Sequence, residues 1–385
     1  MKHIIYITTA MDKNDFNEYL KHWKSSPNPS NQNFHNKMIR SLSINNKVDV
    51  ISVRPFSRSL TSLKGLKKDE RISGNIFWHY ISIQRNIFEK IINGQRQINS
   101  ILKDILSEDS IIFIDTINPA LVHFCKHAFK GKNNKIIGIC TDSPSNITGT
   151  SRSYTVYLLS HTNDYSGYIC LTKGLDDLFN PNSKPSVVIE GIVENNTYTP
   201  KNGNEKYFFF AGAMLPRYGI YNLIEAFKSF NVNHNEYKLL IAGHHADRNA
   251  IAKAIGNNKN IGYLGSLTID ECLEYECGAI ANINPRPFSE DLDRYSIPSK
   301  TLEYLTSGVP TISVKNSKLQ KVFGDNMIWS KTGDVANIEK TMEMVINLSP
   351  SERSALADTA KEKVLSLYSL KSVNEKINSF LDKLI

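Results

Sequence analysis

Short apolar runs alternate with amphipathic stretches along the whole chain, and the alternation stops once and restarts. HIIYIT (3–8), VDVISV (48–53), SIIFID (110–115), KIIGIC (135–140), GYICL (167–171) and SVVIE (186–190) read as strands in the first half. Between them, Phe34, Met38, Ile39 and Leu42 recur at helical spacing, a long helical pattern covers about 84–106, and Pro119 opens another helix. Strands rich in Ile and Val, each followed by a helix, predict a parallel sheet covered on both faces. Residues 54–75 read as a polar, basic loop, and NIFWHYIS (75–82) as the approach to the long helix. Residues 191–206, rich in Gly, Asn and Pro, read as a linker. The pattern then resumes with KYFFFAGA (206–213), YKLLIAG (237–243), NIGYLG (260–265), AIANIN (279–284) and VPTISV (309–314), and two or three helices fill 334–385. The expectation is α/β, with two doubly wound Rossmann-like domains. The first is 1–193, the linker 194–206 and the second 207–368, with 369–385 a helix packing back on the first. Ligands of such sheets bind at the carboxyl ends of strands.

At 385 residues the chain is long enough for two buried cores. No apolar run reaches membrane-spanning length, and the first residues, MKHIIYITTAMDKND, lack a signal-peptide pattern, so a cytoplasmic location is expected. The five cysteines form no CxxC and read as reduced core residues. The net charge of +8 is concentrated: residues 1–195 carry 24 Lys and Arg against 17 Asp and Glu, whereas residues 196–385 carry 22 against 21. Arg54, Arg58, Lys64, Lys67, Lys68 and Arg71 form its densest run, with Phe77 and Trp78 close behind. That combination suggests a peripheral patch for an anionic membrane surface over 54–80, set against a solvated loop and core aromatics. Charge alone also fits nucleic acid, but no further feature supports it, and no nucleic-acid partner is expected.

Chemistry concentrates in the second half. GxGxxG after the first strand, Walker A, HExxH and GxSxG are all missing, which disfavours dehydrogenase, P-loop and serine hydrolase readings. In SIPSKTLEYLTSGVP (296–310), Pro298 and Gly308 bracket a helix of about ten residues. Lys300 and Glu303 share one of its faces. A helix N-terminus with an adjacent ammonium suits a phosphate, and a carboxylate one turn deeper suits a vicinal diol such as a ribose. A Lys–Glu surface pair is the alternative. FFFAGAMLPRYGIYNLIEAF (208–227) adds Gly212 for close backbone approach, Arg217 as the loop cation, and Gly219 near a second helix start.

The order FAG…LPRYGIYNLIEAF, LLIAG, IGYLG, INPR, IPSKTLEYLTSGVPTIS resembles the donor domain of GT-B glycosyltransferases, closest to glycosyltransferase family four. The likeness is specific over about 207–315 and weaker over 1–195. It implies a GT-B fold, two domains facing each other across a cleft that closes over the substrates, and a retaining hexosyltransferase-type enzyme. The donor would be a UDP- or GDP-sugar, with no metal or other cofactor needed for chemistry. The acceptor would be a hydroxyl of a glycan, glycolipid or glycoprotein in surface polysaccharide or glycoconjugate synthesis, at the inner face of a membrane. By that likeness Glu303 holds the ribose, Lys300 and Arg217 the diphosphate, and Tyr263 lies near the base. Asn284, Arg286, Ser289 and Glu290 belong to the loop that touches the donor sugar. Arg294, with Arg286, is a further cation that could compensate for family cations missing here.

Three departures stand out. Ala213 follows Gly212 where the family has Arg, Tyr218 precedes Gly219 where it has Lys, and Tyr295 stands where it often has a first Glu. A non-catalytic GT-B subunit supporting a partner transferase, in a homo- or hetero-oligomer, and a sugar-nucleotide epimerase on the same fold therefore remain open. Asp291-x-Asp293 reads as a solvated acidic turn. Asp115, ending its strand, is the candidate base or charge support in the first domain, or else a helix cap before NPAL. Asn31, Gln32, Asn33 and His35, with Asp142, are the candidate acceptor contacts. His123 and His127 lie one turn apart but lack a third ligand, so no metal site is assigned. His244 and His245 follow LLIAG without a clear role.

Overall fold

Uninterrupted Ile, Val and Phe runs are buried on both faces here, which requires helices on each side of a parallel sheet. The computed structural model describes residues 1–20, 29–54, 69–82, 87–147, 150–195, 198–201, 203, 205–243 and 247–384. It comprises two units. Unit 1 is Met1–Ile192 with Arg294–Ile297 and Leu370–Ile385; unit 2 is Val193–Asp293 with Pro298–Ser369.

Unit 1 is built on β1 (His3–Thr8), β2 (Lys47–Ser52), β3 (Asp69–Ser73), β4 (Ile76–Tyr80), β5 (Ile111–Asp115), β6 (Ile136–Cys140), β7 (Gly167–Cys170) and β8 (Ser186–Val188). Their order is β3-β4-β2-β1-β5-β6-β7-β8. Every pairing is parallel except β3 with β4. On one face Ile4, Tyr6, Val50 and Phe113 pack with Met38 and Leu42 of the helix Pro29–Leu42. The last helix, Leu370–Leu381, adds Val373, Ile377 and Phe380 to that same core. On the other face Ile5, Ile7, Ile112 and Ile114 meet the helices Ile87–Ile105 and Pro119–Ala128. Tyr295 packs there too, and the Thr172 hydroxyl donates to the Arg294 carbonyl at 2.9 Å.

Unit 2 holds β9 (Tyr207–Ala211), β10 (Lys238–Ala242), β11 (Ile261–Tyr263), β12 (Ala281–Asn284), β13 (Thr311–Val314) and β14 (Ile328–Ser330). They run parallel in the order β11-β10-β9-β12-β13-β14. In both sheets the strand order reverses at the first strand: β1 lies between β2 and β5, and β9 between β10 and β12. The crevice beyond the carboxyl ends at such a switch point is where open α/β sheets bind ligands. Asp115 ends β5, while Ala211 and Asn284 end β9 and β12.

Two stretches differ from the sequence reading. The expected loop 54–75 contains β3, and the expected approach to a helix is β4. Ile76, Trp78 and Tyr80 alternate inward along β4, a period-two signal submerged in the adjoining helical pattern. Trp78 is 1% exposed, so it is a core residue and not part of a membrane patch. Arg54 is buried, donates to the Ile81 carbonyl at 3.3 Å and lies over the Tyr80 ring. Arg71 pairs with Asp15, and with Asp12 at 3.4 Å. These two cations of the basic run serve the fold; Arg58, Lys64, Lys67 and Lys68 lie outside the described residues. Among the described residues, no helix is long and apolar enough to cross a membrane.

A polar knot ties three neighbouring strands. The Asp49 carboxylate accepts from His3 Nε2 and His79 Nε2, each at 2.8 Å, and pairs with Lys47 Nζ at 3.1 Å. Burial works against its charge, but these three donors hold its pKa well below the usual carboxylate range. A depressed carboxylate adds stability above its unfolded pKa, and that stability is lost as pH falls through the folded one. Asp49→Asn is expected to cost ~2 kcal/mol at pH 7. Its deficit against the parent should shrink as pH drops below about 4. Thermal melts of both proteins at pH 7 and pH 3 check this; an unchanging gap would place the effect in packing.

Candidate functional site

Glycine-shaped backbone crowds the carboxyl ends of β9, β10 and β11. Gly212 N–H donates to the Ala242 carbonyl at 3.0 Å, and Gly243 N–H to the Gly265 carbonyl at 2.8 Å. A Cβ on Gly243 would collide with the Gly212 carbonyl. The Tyr263 hydroxyl donates to the Gly243 carbonyl at 3.0 Å, fixing that ring beside the strand ends. Residues 216–218 then form one 3-10 turn and Gly219 caps the helix Ile220–Asn231. Its φ of +79° favours glycine, and a Cβ there would strike the Pro285 carbonyl. This N-cap has no side chain to satisfy the first-turn N–H groups, which leaves them to solvent or an anion. Arg217 is exposed on the turn, its guanidinium 5.0 Å from the centre of the Tyr218 ring.

The second segment is a shorter helix than the sequence predicts: Ser299–Tyr304, with Pro298 as its cap. It tightens into turns after Glu303, with Thr306 N–H donating to the Glu303 carbonyl, and Gly308 adopts φ +79°. Lys300 and Glu303 do share a face, with Nζ and Oε1 2.6 Å apart. A second carboxylate joins them: Glu276 Oε1 lies 3.4 Å from Nζ, on the helix Ile269–Gly278. Glu276 is fully buried, whereas the Lys300 side chain is 35% exposed. Burial opposes the ammonium, yet Glu303 and Glu276 together keep its pKa well above the ordinary lysine value. Tyr304, fully buried, anchors this helix to β9: its hydroxyl accepts from Ala211 N–H at 2.8 Å and donates to the Ala211 carbonyl at 3.1 Å.

The residues expected to form the donor loop are mostly committed to the fold. Asn284 Nδ2 donates to Thr301 Oγ1 at 2.7 Å, bracing β12 against the Lys300 helix. Arg286 pairs with Asp293 at 2.9 Å, both side chains below 10% exposure. Asp293 also accepts from Ser289 N–H at 2.9 Å and Asn316 Nδ2 at 3.2 Å. Asp293 is therefore a buried organiser of the loop and not a solvated acidic turn. Ser289 and Glu290 are exposed at its outer edge. His244 and His245 lie outside the described residues.

In unit 1, Asp115 is 1% exposed. Its Oδ2 lies 3.3 Å from His35 Nε2 and accepts from Asn31 Nδ2 at 3.4 Å, and its Oδ1 accepts from Ile117 N–H at 3.1 Å. His35 Nδ1 is 2.7 Å from the Tyr6 hydroxyl, and both rings are fully buried. Burial, with the Asp115 charge, pushes the Tyr6 phenol well up. Asp115 is thus the centre of a buried polar cluster and not a surface base, and His35 is not exposed to an acceptor. The helix cap is Asn118, the first residue of NPAL, which accepts from Ala120 N–H at 3.1 Å. Gln32 clamps Met11 through both amide atoms, at 2.6 and 3.1 Å, so it too is spent on the fold. Asn33 is half-buried on the same helix as Asn31. Asp142 accepts from Ser143 N–H at 2.8 Å in a turn. The His123 and His127 ring centroids lie 4.4 Å apart on one helix, tilted by 53°, and among the described residues no group of three or more His, Cys, Asp or Glu is placed to hold a metal.

The family described as "Glycosyl transferases group 1" matches residues 194–363. The match covers less than half of the chain and lies within its second half. No curated protein matches the chain in sequence. Solved structures match nearly its whole length. A sucrose-phosphate synthase from Thermosynechococcus elongatus shares 11% identity, with 100% of this chain and 99% of that one covered at TM-score 0.70. An α,α-trehalose 6-phosphate synthase from Burkholderia multivorans shares 11%, with 100% and 99% covered at 0.69. A TarM variant from S. aureus, in complex with fondaparinux, α-GlcNAc-glycerol and UDP, shares 19% over 75% of this chain and 59% of that one, at 0.57. At these identities the likeness establishes the fold, which is GT-B. The chain has the GT-B fold, and its residues 194–363 match the group 1 glycosyl transferases.

Glu276, Tyr304 and Tyr6 are not legible in the sequence pattern. Glu276 sits in ECLEYECG, where an acidic residue on a short helix reads as solvated. Its burial arises only when the helix Ile269–Gly278 packs under the strand ends. Tyr304 was adjacent to Glu303 in a helix of alternating polar and apolar residues, and nothing in that pattern distinguishes a core tyrosine from one that grips another strand.

Proposed function

We propose that the protein is a glycosyltransferase that moves a sugar from a UDP- or GDP-sugar, with retention, to a hydroxyl of a glycan, glycolipid or glycoprotein in surface glycoconjugate synthesis. The observation that carries this is the Lys300–Glu303 pair at the switch point of the second sheet, on a helix that Tyr304 fastens to the end of β9. Glu303 accepts two hydrogen bonds from a ribose diol. Lys300 and Arg217, with the N–H groups after Gly219, stabilise the charge that grows on the leaving diphosphate. The acceptor hydroxyl attacks the anomeric carbon on the face the diphosphate leaves. UDP is the first nucleotide to test, because the TarM complex contains it. In unit 1, Asn31 and Asn33 are the acceptor contacts that remain reachable, with Asp115 orienting Asn31.

A supporting, non-catalytic subunit is the second reading. Ala213 and Tyr218 replace cations, and Lys300 already faces two carboxylates. Calorimetric titration with UDP and with GDP, chelator present, separates the two. Saturable binding of one nucleotide supports the transferase, names its base and shows that metal is dispensable for binding. Binding of neither supports the subunit and directs the search to a partner.

A further inference from the structure

The Lys300 ammonium is shared by two carboxylates that differ in one physical respect. The Glu303 side chain is 13% exposed and Glu276 is fully buried. A buried carboxylate is tolerated only with a fixed partner of opposite charge, and breaking such a pair costs more than never having made it. Glu276 is also held from behind. Its carbonyl accepts from Asn282 Nδ2 at 3.2 Å, and the same amide donates to Ser307 Oγ at 3.0 Å. Asn282 belongs to β12 and Ser307 follows the Lys300 helix, so the position of Glu276 is set from the strand and from that helix together.

We propose that Glu276 is a positioning residue that holds Lys300 for a nucleoside diphosphate, so that Glu303 can change partner. The proposal rests on the donor-site reading above. Both carboxylates face Nζ in the structure. When a ribose diol takes Glu303, Glu276 stays as the buried counter-charge and keeps the four-carbon stem of Lys300 extended toward the diphosphate. A lysine is a flexible point charge, and holding it in place beforehand removes part of the ordering cost of binding. The negative charge of Glu276 also repels a diphosphate, so the two effects oppose. The short Lys300–Glu303 contact decides between them. Without Glu276, Lys300 and Glu303 are left to pair with each other, and the ligand must break that pair to reach either.

The test uses the full chain and the substitutions Glu276→Gln and Lys300→Met, alone and together. UDP and uridine are titrated calorimetrically. Both carry the ribose, but only UDP meets Lys300. Glu276→Gln is expected to weaken UDP at least tenfold and leave uridine within twofold, and to add nothing once Lys300 is Met. An equal loss for UDP and uridine means that Glu276 serves only the fold. Unchanged or tighter UDP binding means that its repulsion dominates. Either result overturns the proposal while leaving the donor site standing. A parent chain that binds neither ligand overturns the donor site, and this role with it. Melting of the unliganded proteins supplies a second readout. The two single substitutions should each lower Tm and the pair should lower it by less than their sum; strict additivity would show that the two side chains are not coupled.

Discussion

Lys300→Ala is expected to weaken UDP binding by roughly 10²-fold, the loss of one charge-assisted contact to a phosphate. It should also destabilise the chain. The sequence alone suggests a clean binding defect, because a Lys–Glu pair on one helix face is worth only a few tenths of a kcal/mol. The tertiary structure changes that estimate, since Nζ also faces the buried carboxylate of Glu276 at 3.4 Å. Removing the ammonium leaves Glu276 and Glu303 near each other without it. Stripping a partner from a buried charge costs about 3–5 kcal/mol, and the partial exposure of Lys300 reduces this to ~2 kcal/mol. Burial and mutual repulsion then favour a proton on one of the two carboxylates, raising its folded pKa. A raised carboxylate contributes stability below its unfolded pKa and loses it as pH rises. The Tm gap between the variant and the parent should therefore widen from pH 5 to pH 8. Paired melts across that range decide the matter, and a gap that stays constant would show that the second carboxylate is not charged beside Lys300.

Asp293→Ala carries the other large effect. One carboxylate there receives Arg286, Asn316 and the Ser289 N–H, and Lys318 donates to the Asp293 carbonyl at 3.0 Å. Its loss takes the counter-charge from a buried guanidinium and unlocks the loop from Pro285 to Asp293. The expected cost is about 3–5 kcal/mol, or roughly 10 °C in Tm for a unit of this size. The mechanism is tested by the partner. Replacing a buried pair together by apolar residues of similar volume is often close to neutral. The double substitution Arg286→Met with Asp293→Leu should therefore be more stable than Asp293→Ala alone. If the double variant melts no higher, the charge pair is not what the loop depends on. Weak binding of the donor is expected in Asp293→Ala even at temperatures where it remains folded, because Asn284 and the Lys300 helix adjoin this loop.

The alternation of β-rich runs and amphipathic stretches was enough to read two doubly wound sheets, because the periods 2 and 3.6 are local properties of a chain. The runs of Ile and Phe in β1, β5 and β9 announced strands buried on both faces. Lys300 and Glu303 were legible as a pair for the same reason: three residues on a helix are one turn. β4 was not legible, because five alternating residues ran directly into a helical pattern. The length of the Lys300 helix was overestimated, since Pro and Gly bracket a segment without saying where its turns tighten.

What burial decides was invisible. Asp115, His35 and Gln32 carry the right chemistry for an acceptor site, yet the structure folds all three inward and uses them on Tyr6, Asn31 and Met11. Asp293 looked like a surface carboxylate and is the hub of a loop. Glu276 gave no signal, because its partner lies 24 residues away in the chain. The sequence by itself determined the class of fold, the strand-by-strand order of chemistry and the Lys300–Glu303 pair, all of which depend on neighbours in the chain. Only the tertiary structure decided which polar side chains remain available, because availability is a matter of desolvation and of contacts between segments far apart in sequence.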